Sequence, residues 1–474
     1  MNDRVRHAHS TLETPCASAP RSWPRPCSPA ACPPVALAAP AAAAPAKYAD
    51  DFDGDGYRDY AAFSHGPGSS SRGGGVLVTF GTANGPGTKT QFIDQSSPGV
   101  PGTDETDDDF GTVRTAADFN GDGYGDLAVS APHEDDGSHK DEGAVTVLRG
   151  SRTGLSGGTT VPDKGPHGSY DDMGNDTATG DFNGDGRRDL AVVDDGRTYV
   201  YRGPIERSGV HGTVSLLDKG SGFHATALIS GRVDGDGKTD LVVIGDVANP
   251  SSVGSDAWFV SGGKARLYPG RTLHLESVRS GGGSSARGGD GVVGDFDKDG
   301  YGDIAIGTYK ADKYKGRVSV WYGSASGPDR SARFTQATTG VADTPEADDG
   351  FGASISSGDT NGDGYRDLAV GVYGEKLGSI PYAGGVAVLY GSASGLSGKG
   401  SKWFTRSSPG VPGYPQEDDA FGGTVRLRDT DRDGMADLYV AGTYGSLMLP
   451  GSPAGITIRG ATAVDGEIIP GMLQ

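Results

Sequence analysis

One nine-residue pattern, D-x-[DN]-x-D-G-x-x-D, sets the terms for everything else in this chain. It occurs as DFDGDGYRD at Asp51, DFNGDGYGD at Asp118, DFNGDGRRD at Asp181, RVDGDGKTD at Arg232, DFDKDGYGD at Asp295, DTNGDGYRD at Asp359 and DTDRDGMAD at Asp429. The start-to-start steps are 67, 63, 51, 63, 64 and 70 residues, so the array fills the chain from about Lys47 onward. A fixed period of this size makes the chain a repeat array, with each repeat the size of one supersecondary unit.

Each copy runs into a short aliphatic, β-branched stretch, such as LAVSA after Asp126, LVVIG after Asp240 or LAVGV after Asp367. These are strand lengths rather than helix lengths. Glycine-bracketed alternating stretches follow: GVLVTFG at Gly75, GAVTVLRG at Gly143, GRVSVWYG at Gly316 and GGVAVLYG at Gly384. Phe-Gly pairs at Phe110, Phe351 and Phe421 open a further segment before the aspartates, and stretches such as SKWFT at Ser401 close the unit, giving four strands. Seven four-stranded units without helical periodicity predict an all-β fold, a seven-bladed β-propeller. A β-solenoid has shorter coils, and separate sandwiches of about 63 residues would bury too little apiece. The expected division is a leader over 1–46 and a propeller over 47–474, with units beginning near 47, 110, 173, 223, 287, 351 and 421.

Composition agrees with many thin units. Glycine (82) and proline (28) are abundant, apolar residues make up 34%, and a single thick core is not expected. Cys16, Cys27 and Cys32 all lie in the leader, so the repeats have no disulfide framework or thiolate metal site. Arginines at 4, 6, 21 and 25 followed by PPVALAAPAAAAPA resemble an export signal ending in a small-residue cleavage site, which predicts an extracellular, secreted protein. A disordered Ala/Pro-rich leader is the alternative.

The loops have the chemistry of a hard-cation cage. Positions 1, 3, 5 and 9 offer side-chain oxygens, position 7 a carbonyl, and the glycine at position 6 allows the sharp turn, which is the oxygen-rich coordination Ca²⁺ prefers. The predicted ligand sets are Asp51, Asp53, Asp55, Tyr57 and Asp59; Asp118, Asn120, Asp122, Tyr124 and Asp126; and Asp181, Asn183, Asp185, Arg187 and Asp189. The later loops supply Asp295, Asp297, Asp299, Tyr301 and Asp303; Asp359, Asn361, Asp363, Tyr365 and Asp367; and Asp429, Asp431, Asp433, Met435 and Asp437. An EF-hand would need a bidentate Glu at position 12, where this chain has Ala62, Val129, Val192, Val243, Ile306, Val370 or Val440. The six loops carry 21 carboxylates against a net chain charge of −20, and that density calls for cations. About six structural Ca²⁺ are therefore expected. In the fourth copy Arg232 replaces the first ligand, and its guanidinium is expected to stand in for the ion among Asp234, Asp236 and Asp240.

Together, the Phe-Gly pairs, the aspartate loops, the LAVG-type strand and the GxVxVxxG strand resemble the FG-GAP family, also known as VCBS-type repeats, which includes the integrin α-subunit propeller and many secreted bacterial proteins. The resemblance implies seven blades with calcium in inter-strand loops at one rim. It departs at Met173-Gly174 and Phe223-His224, and the first unit has no Phe-Gly, which leaves its first strand and the closure of the ring open. The expected role is a binding or adhesion module for an extracellular protein or glycan, acting as a monomer through loops such as Asp135–Glu142, Asp312–Lys315 and Leu377–Tyr382. A propeller enzyme, a hydrolase or polysaccharide lyase, and a structural envelope component are the alternatives. There is no H-E-x-x-H or G-x-S-x-G, and no catalytic residue is assigned. His133 and His139 beside Glu134 read as a solvated loop. The acidic charge argues against nucleic acid, and no apolar stretch is long enough to span a membrane.

Overall fold

The structure is a computed structural model, and it describes residues 44–66, 73–220, 222–249, 252–279 and 290–473. The leader cysteines, most of the leader and the start of the fifth unit at 287 lie outside the described residues.

Among the described residues seven antiparallel blade sheets follow one another along the chain, each in up-and-down order and six of them four-stranded, and a separate two-stranded hairpin, Ile205–Glu206 with Gly209–Val210, interrupts the third. The second sheet is typical: Arg114–Ala117, Asp126–Ala131, Ala144–Arg149 and Ser156–Thr160 pair in sequence, with Ala116 opposite Leu127 and Val129 opposite Thr146. The strand after each aspartate loop is apolar on both faces because a blade is covered on both sides by its neighbours. Asp126–Ala131, Asp189–Asp194, Asp303–Gly307 and Asp367–Val372 are buried at every position.

The core is therefore divided into slabs between adjacent blades. Phe52, Val76, Val78 and Phe80 of the first blade pack on Phe110, Leu127, Val129 and Leu148 of the second, and similar clusters fill the following interfaces. The Phe-Gly motif belongs to this packing. Phe110, Phe351 and Phe421 are fully buried, and the glycine after each adopts positive φ where the preceding blade comes close. A Cβ on Gly422 would lie 2.3 Å from the Gly385 carbonyl oxygen, so only glycine fits. Met173 takes the place of the phenylalanine in the third blade and is equally buried.

The innermost strands, Arg114–Ala117, Thr177–Gly180, Phe223–Gly231, Gly291–Gly294, Phe351–Gly358 and Thr424–Arg428, line one central cavity of about 1320 Å³. Cross-blade bonds tie them together: Leu228 N donates to Asp176 Oδ2 (2.7 Å), Ile355 N to Asp290 Oδ2 (3.2 Å) and Leu427 N to Ser356 Oγ (2.9 Å).

Among the described residues the first blade has three strands, Tyr60–Phe63, Val76–Thr82 and Gly85–Ile93, and no inner one. The C-terminal segment takes that place with a single helical turn, Ile468–Gly471. Ile468, Ile469 and Met472 pack on Tyr60 of the first blade and Tyr439 of the seventh. Arginines from both sides hold the segment's carbonyls: Arg114 to Pro470 O (3.1 Å), Arg426 to Met472 O (3.0 Å) and Arg428 to Leu473 O (2.9 Å). This turn closes the ring that the sequence left open.

The short 51-residue step traces to the third blade. Its second and third strands are joined by Asp195-Gly196 alone, both at positive φ, a two-residue hairpin where the second blade has a long loop.

Candidate metal loops and the opposite rim

All seven aspartate loops connect an inner strand to the second strand of the same sheet, or occupy that position in the first blade, and so lie at one rim. Main-chain bonds link them in series. The N–H at position 8 of one loop donates to the position-1 carbonyl of the loop before it: Gly125 to Asp51 (2.8 Å), Thr239 to Asp181 (2.9 Å), Gly302 to Arg232 (2.7 Å), Arg366 to Asp295 (3.0 Å) and Ala436 to Asp359 (2.7 Å). Turns between third and outer strands join the same rim, as with Ser151 N to Phe52 O (3.0 Å) and Ser392 N to Phe296 O (3.1 Å). Fixing one loop therefore fixes its contacts with the neighbouring blades.

Within a loop the positions have different duties. The position-1 carboxylate gathers backbone N–H groups of the turn: Asp181 accepts from Gly184 (2.7 Å), Asp185 (3.0 Å) and Gly186 (2.9 Å), and Asp118 and Asp359 do likewise. The position-9 carboxylate is buried in every blade and accepts at least two main-chain or hydroxyl hydrogen bonds. Asp59 binds Phe52 N (2.8 Å) and Gly81 N (2.9 Å), and Asp303 binds Phe296 N (2.8 Å) and Gly323 N (2.9 Å). Asp126, Asp189, Asp240, Asp367 and Asp437 repeat the arrangement. This residue ties the start of the loop to the end of the third strand, a structural duty that the ligand pattern in the sequence did not reveal. Burial is the largest influence on its acidity, raising Asp59 and Asp303 to about 7 and Asp126, Asp367 and Asp437 to about 6 against the opposing hydrogen bonds.

The all-aspartate loops bring their carboxylates closest together. Oxygens of Asp295, Asp297 and Asp299, of Asp429, Asp431 and Asp433, and of Asp51, Asp53 and Asp59 each converge within 4.8 Å. In two of these loops a cation holds one oxygen of the position-3 aspartate and leaves the other without a partner. Lys89 Nζ binds Asp53 Oδ2 at 2.9 Å and Arg330 binds Asp297 Oδ2, while Asp53 Oδ1, Asp297 Oδ1 and Asp51 Oδ1 are buried with no hydrogen-bond partner. Orphaned carboxylate oxygens facing their own kind fit a bound divalent cation. In the loops with asparagine at position 3, the amide donates to the position-5 carboxylate: Asn120 to Asp122 (2.9 Å), Asn183 to Asp185 (3.1 Å) and Asn361 to Asp363 (3.0 Å).

The fourth loop corrects one expectation. Arg232 is exposed and, among the described residues, makes no ion pair with Asp234, Asp236 or Asp240. Instead Lys238, at position 7, pairs with Asp236, and Ser261 Oγ donates to Asp234 Oδ2 (2.6 Å). An arginine at position 1 is carried outward by a backbone whose carbonyl is bonded to Gly302, so the nearer lysine supplies the compensating charge.

The opposite rim carries the connections between second and third strands and between blades. The segments singled out in the sequence fall here, with short bridges closing them at Asp136–His139 and Leu377–Ile380. Tyrosines gather on the fifth and sixth blades: the ring of Tyr309 lies 6.3 Å from those of Tyr314 and Tyr373, with Tyr382 nearby. Tyr414 and Tyr444 are exposed on the next connections, at 69% and 54%. His133 and His139 do not meet. His133 Nδ1 lies 3.0 Å from Asp109, whereas His139 Nδ1 contacts Glu142 (3.1 Å), and Glu142 joins Asp163 and His167 in a further cluster that sequence spacing did not suggest.

A ring of sheets with one aspartate loop per blade and a variable opposite rim defines the class: a β-propeller built from repeated loop-and-sheet units. The FG-GAP repeat family matches residues 110–148, 287–321 and 351–389, and the FG-GAP-like repeat matches 181–243. Integrin alpha-PS2 of Drosophila melanogaster is 30% identical over 215 residues, covering 42% of this chain and 15% of that protein. Phosphatidylinositol-glycan-specific phospholipase D of Rattus norvegicus is 34% identical over 152 residues, 28% of this chain and 18% of the enzyme. Integrin alpha-8 of Mus musculus is 27% identical over 222 residues, 44% and 20% respectively. The chain is an integrin-α-like FG-GAP β-propeller, and it spans a fifth or less of these relatives' length. No helix among the described residues is long and apolar enough to cross a membrane.

Proposed function

We propose that this chain is a secreted, calcium-stabilised binding module that recognises an extracellular protein or glycan through the tyrosine-bearing rim opposite its metal loops. The observation that carries the reading is the division of labour between rims. One rim holds oxygen cages linked by main-chain bonds, and the other presents Tyr309, Tyr314, Tyr373 and Tyr382 on loops held by a rigid ring. Tyrosine gives large, amphipathic contact area at little entropy cost, and loops on a rigid scaffold are where recognition residues concentrate.

In this reading the six complete loops hold Ca²⁺ through positions 1, 3 and 5, the position-7 carbonyl and position 9, while the fourth loop binds none. The ion would supply charge neutralisation and rigidity and no chemistry on a substrate. Affinities of about 10⁻⁴ to 10⁻³ M suit a calcium-rich exterior. The relatives named as integrins and the phospholipase are compatible with an extracellular setting, and their activities as whole proteins are not carried over.

Metal analysis and thermal melting of the purified chain, with and without chelator, test the cation reading: about six Ca²⁺ and a clear drop in Tm on chelation are expected. Binding to a glycan array and to cell surfaces, compared between the parent and a Tyr309→Ala/Tyr373→Ala/Tyr382→Ala triple variant in calcium, tests the rim. Saturable binding that the triple variant retains in full overturns the assignment of the surface.

A further inference from the structure

We propose that the junction between the second and third blades holds a divalent transition-metal ion of the zinc class, bound by Glu142, Asp163, His167 and Asp194. The proposal is independent of the calcium loops, which lie at the other rim. Oxygens of Glu142 and Asp163 and a ring nitrogen of His167 lie within 4.8 Å of one another. His167 Nδ1 lies 2.5 Å from Glu142 Oε1 and 3.2 Å from Asp163 Oδ2. Both oxygens of Asp194, a residue only 1% exposed, are buried without a hydrogen-bond partner, as is Asp171 Oδ2. Asp194 points into the group: a Cβ placed on Gly165, in the turn Asp163 begins, would lie 2.0 Å from Asp194 Oδ2.

Comparison with the other junctions shows what is unusual. Beyond the outer strand of the first blade, Gln95 donates its amide to Glu134 (2.5 Å), and beyond that of the fifth, Gln336 donates to Glu375 (2.6 Å). After the sixth blade, Arg406 Nε binds Asp419 Oδ2 at 2.9 Å, both buried. Each of these three junctions thus gives its buried acid a donor from the end of the outer strand. At the second junction that place belongs to Asp163, which donates nothing, and Asp171 stands where Asp419 does, two residues before the Phe-Gly position. No lysine or arginine side chain pairs with Asp163, Asp171 or Asp194 among the described residues. Buried unpaired carboxylates are costly, and a cation is the common remedy. An imidazole among carboxylates favours a first-row transition ion over calcium, which takes oxygen ligands. Three or four N and O ligands suit Zn²⁺.

The test titrates Zn²⁺ into the full chain held in calcium sufficient to fill the loops, read by calorimetry, with Co²⁺ absorption reporting the ligands. One equivalent is expected, with d–d bands for cobalt. Asp163→Gln installs the amide that Gln95 and Gln336 provide, so it should abolish zinc binding while the metal-free Tm stays level or rises. His167→Ala, a change at a side chain 60% exposed, should weaken zinc binding by at least about tenfold with the fold intact. Absence of zinc binding in calcium, or the same affinity in the parent and both variants, overturns the proposal. Calcium stoichiometry, measured separately, shows whether the loop reading fails instead.

Discussion

Asp240 separates the two duties of the position-9 aspartate, because its loop is the one read as calcium-free. It is fully buried and accepts hydrogen bonds from Val233 N (2.8 Å), Gly262 N (2.9 Å) and Asp234 N (3.2 Å). Asp240→Ala strands three buried or partly buried N–H groups. At about 1.5 to 3 kcal/mol for each bond to a charged acceptor, less the desolvation relieved by removing the carboxylate, the net loss should be roughly 3 to 5 kcal/mol. Urea unfolding followed by tryptophan fluorescence, in calcium and in EDTA, should give the same loss in both. Asp297→Asn is the opposite case: it should change stability little in EDTA and remove part of the stabilisation that calcium confers. If Asp240→Ala costs nothing in EDTA, or costs stability only when calcium is present, position 9 is a ligand and not a strut, and the reasoning is refuted.

Ring closure should be equally exposed to test: Ile469→Asp puts a charge at a fully buried site between the first and seventh blades and should lower stability by about 3 to 5 kcal/mol, read as a large drop in Tm. Gly422→Ala should cost at least about 1 to 3 kcal/mol, since its φ is +96° and the new Cβ meets the Gly385 carbonyl; a neutral result would mean that the blades can move apart there. Glu375 gives a pH signature. Burial first, then the charges of Asp349 and Asp343, push its carboxyl up to about 8 against the Gln336 bond. The folded chain therefore holds a proton that the unfolded chain releases, so stability falls as pH rises from about 4.5 to 8. Glu375→Gln should flatten that slope and be the more stable form at pH 8, and denaturation at several pH values would expose an unchanged slope.

The repeat and its strands were legible because hydrophobic period and turn chemistry are local. LAVSA, LAVGV and GVAVLY became strands where the sequence placed them, and Gly-Asp-Gly turns formed the loops. The Phe-Gly pair also stood out, although its reason, a phenylalanine between blades and a glycine against the neighbour's backbone, is a tertiary one.

What the sequence determined alone was the unit and its number: seven aspartate loops, each feeding a buried strand, admit few folds other than a ring of sheets. Tertiary structure decided how that ring closes, with Ile468–Gly471 at the inner edge of the first blade, and that Lys238 rather than Arg232 faces the fourth loop's carboxylates. It also brought Glu142, Asp163, His167 and Asp194 together from two blades and the connection between them. The physical reason is range: strand period and turns are fixed by neighbours in the chain, whereas burial of a carboxylate and the partner it meets depend on segments that only folding brings into contact.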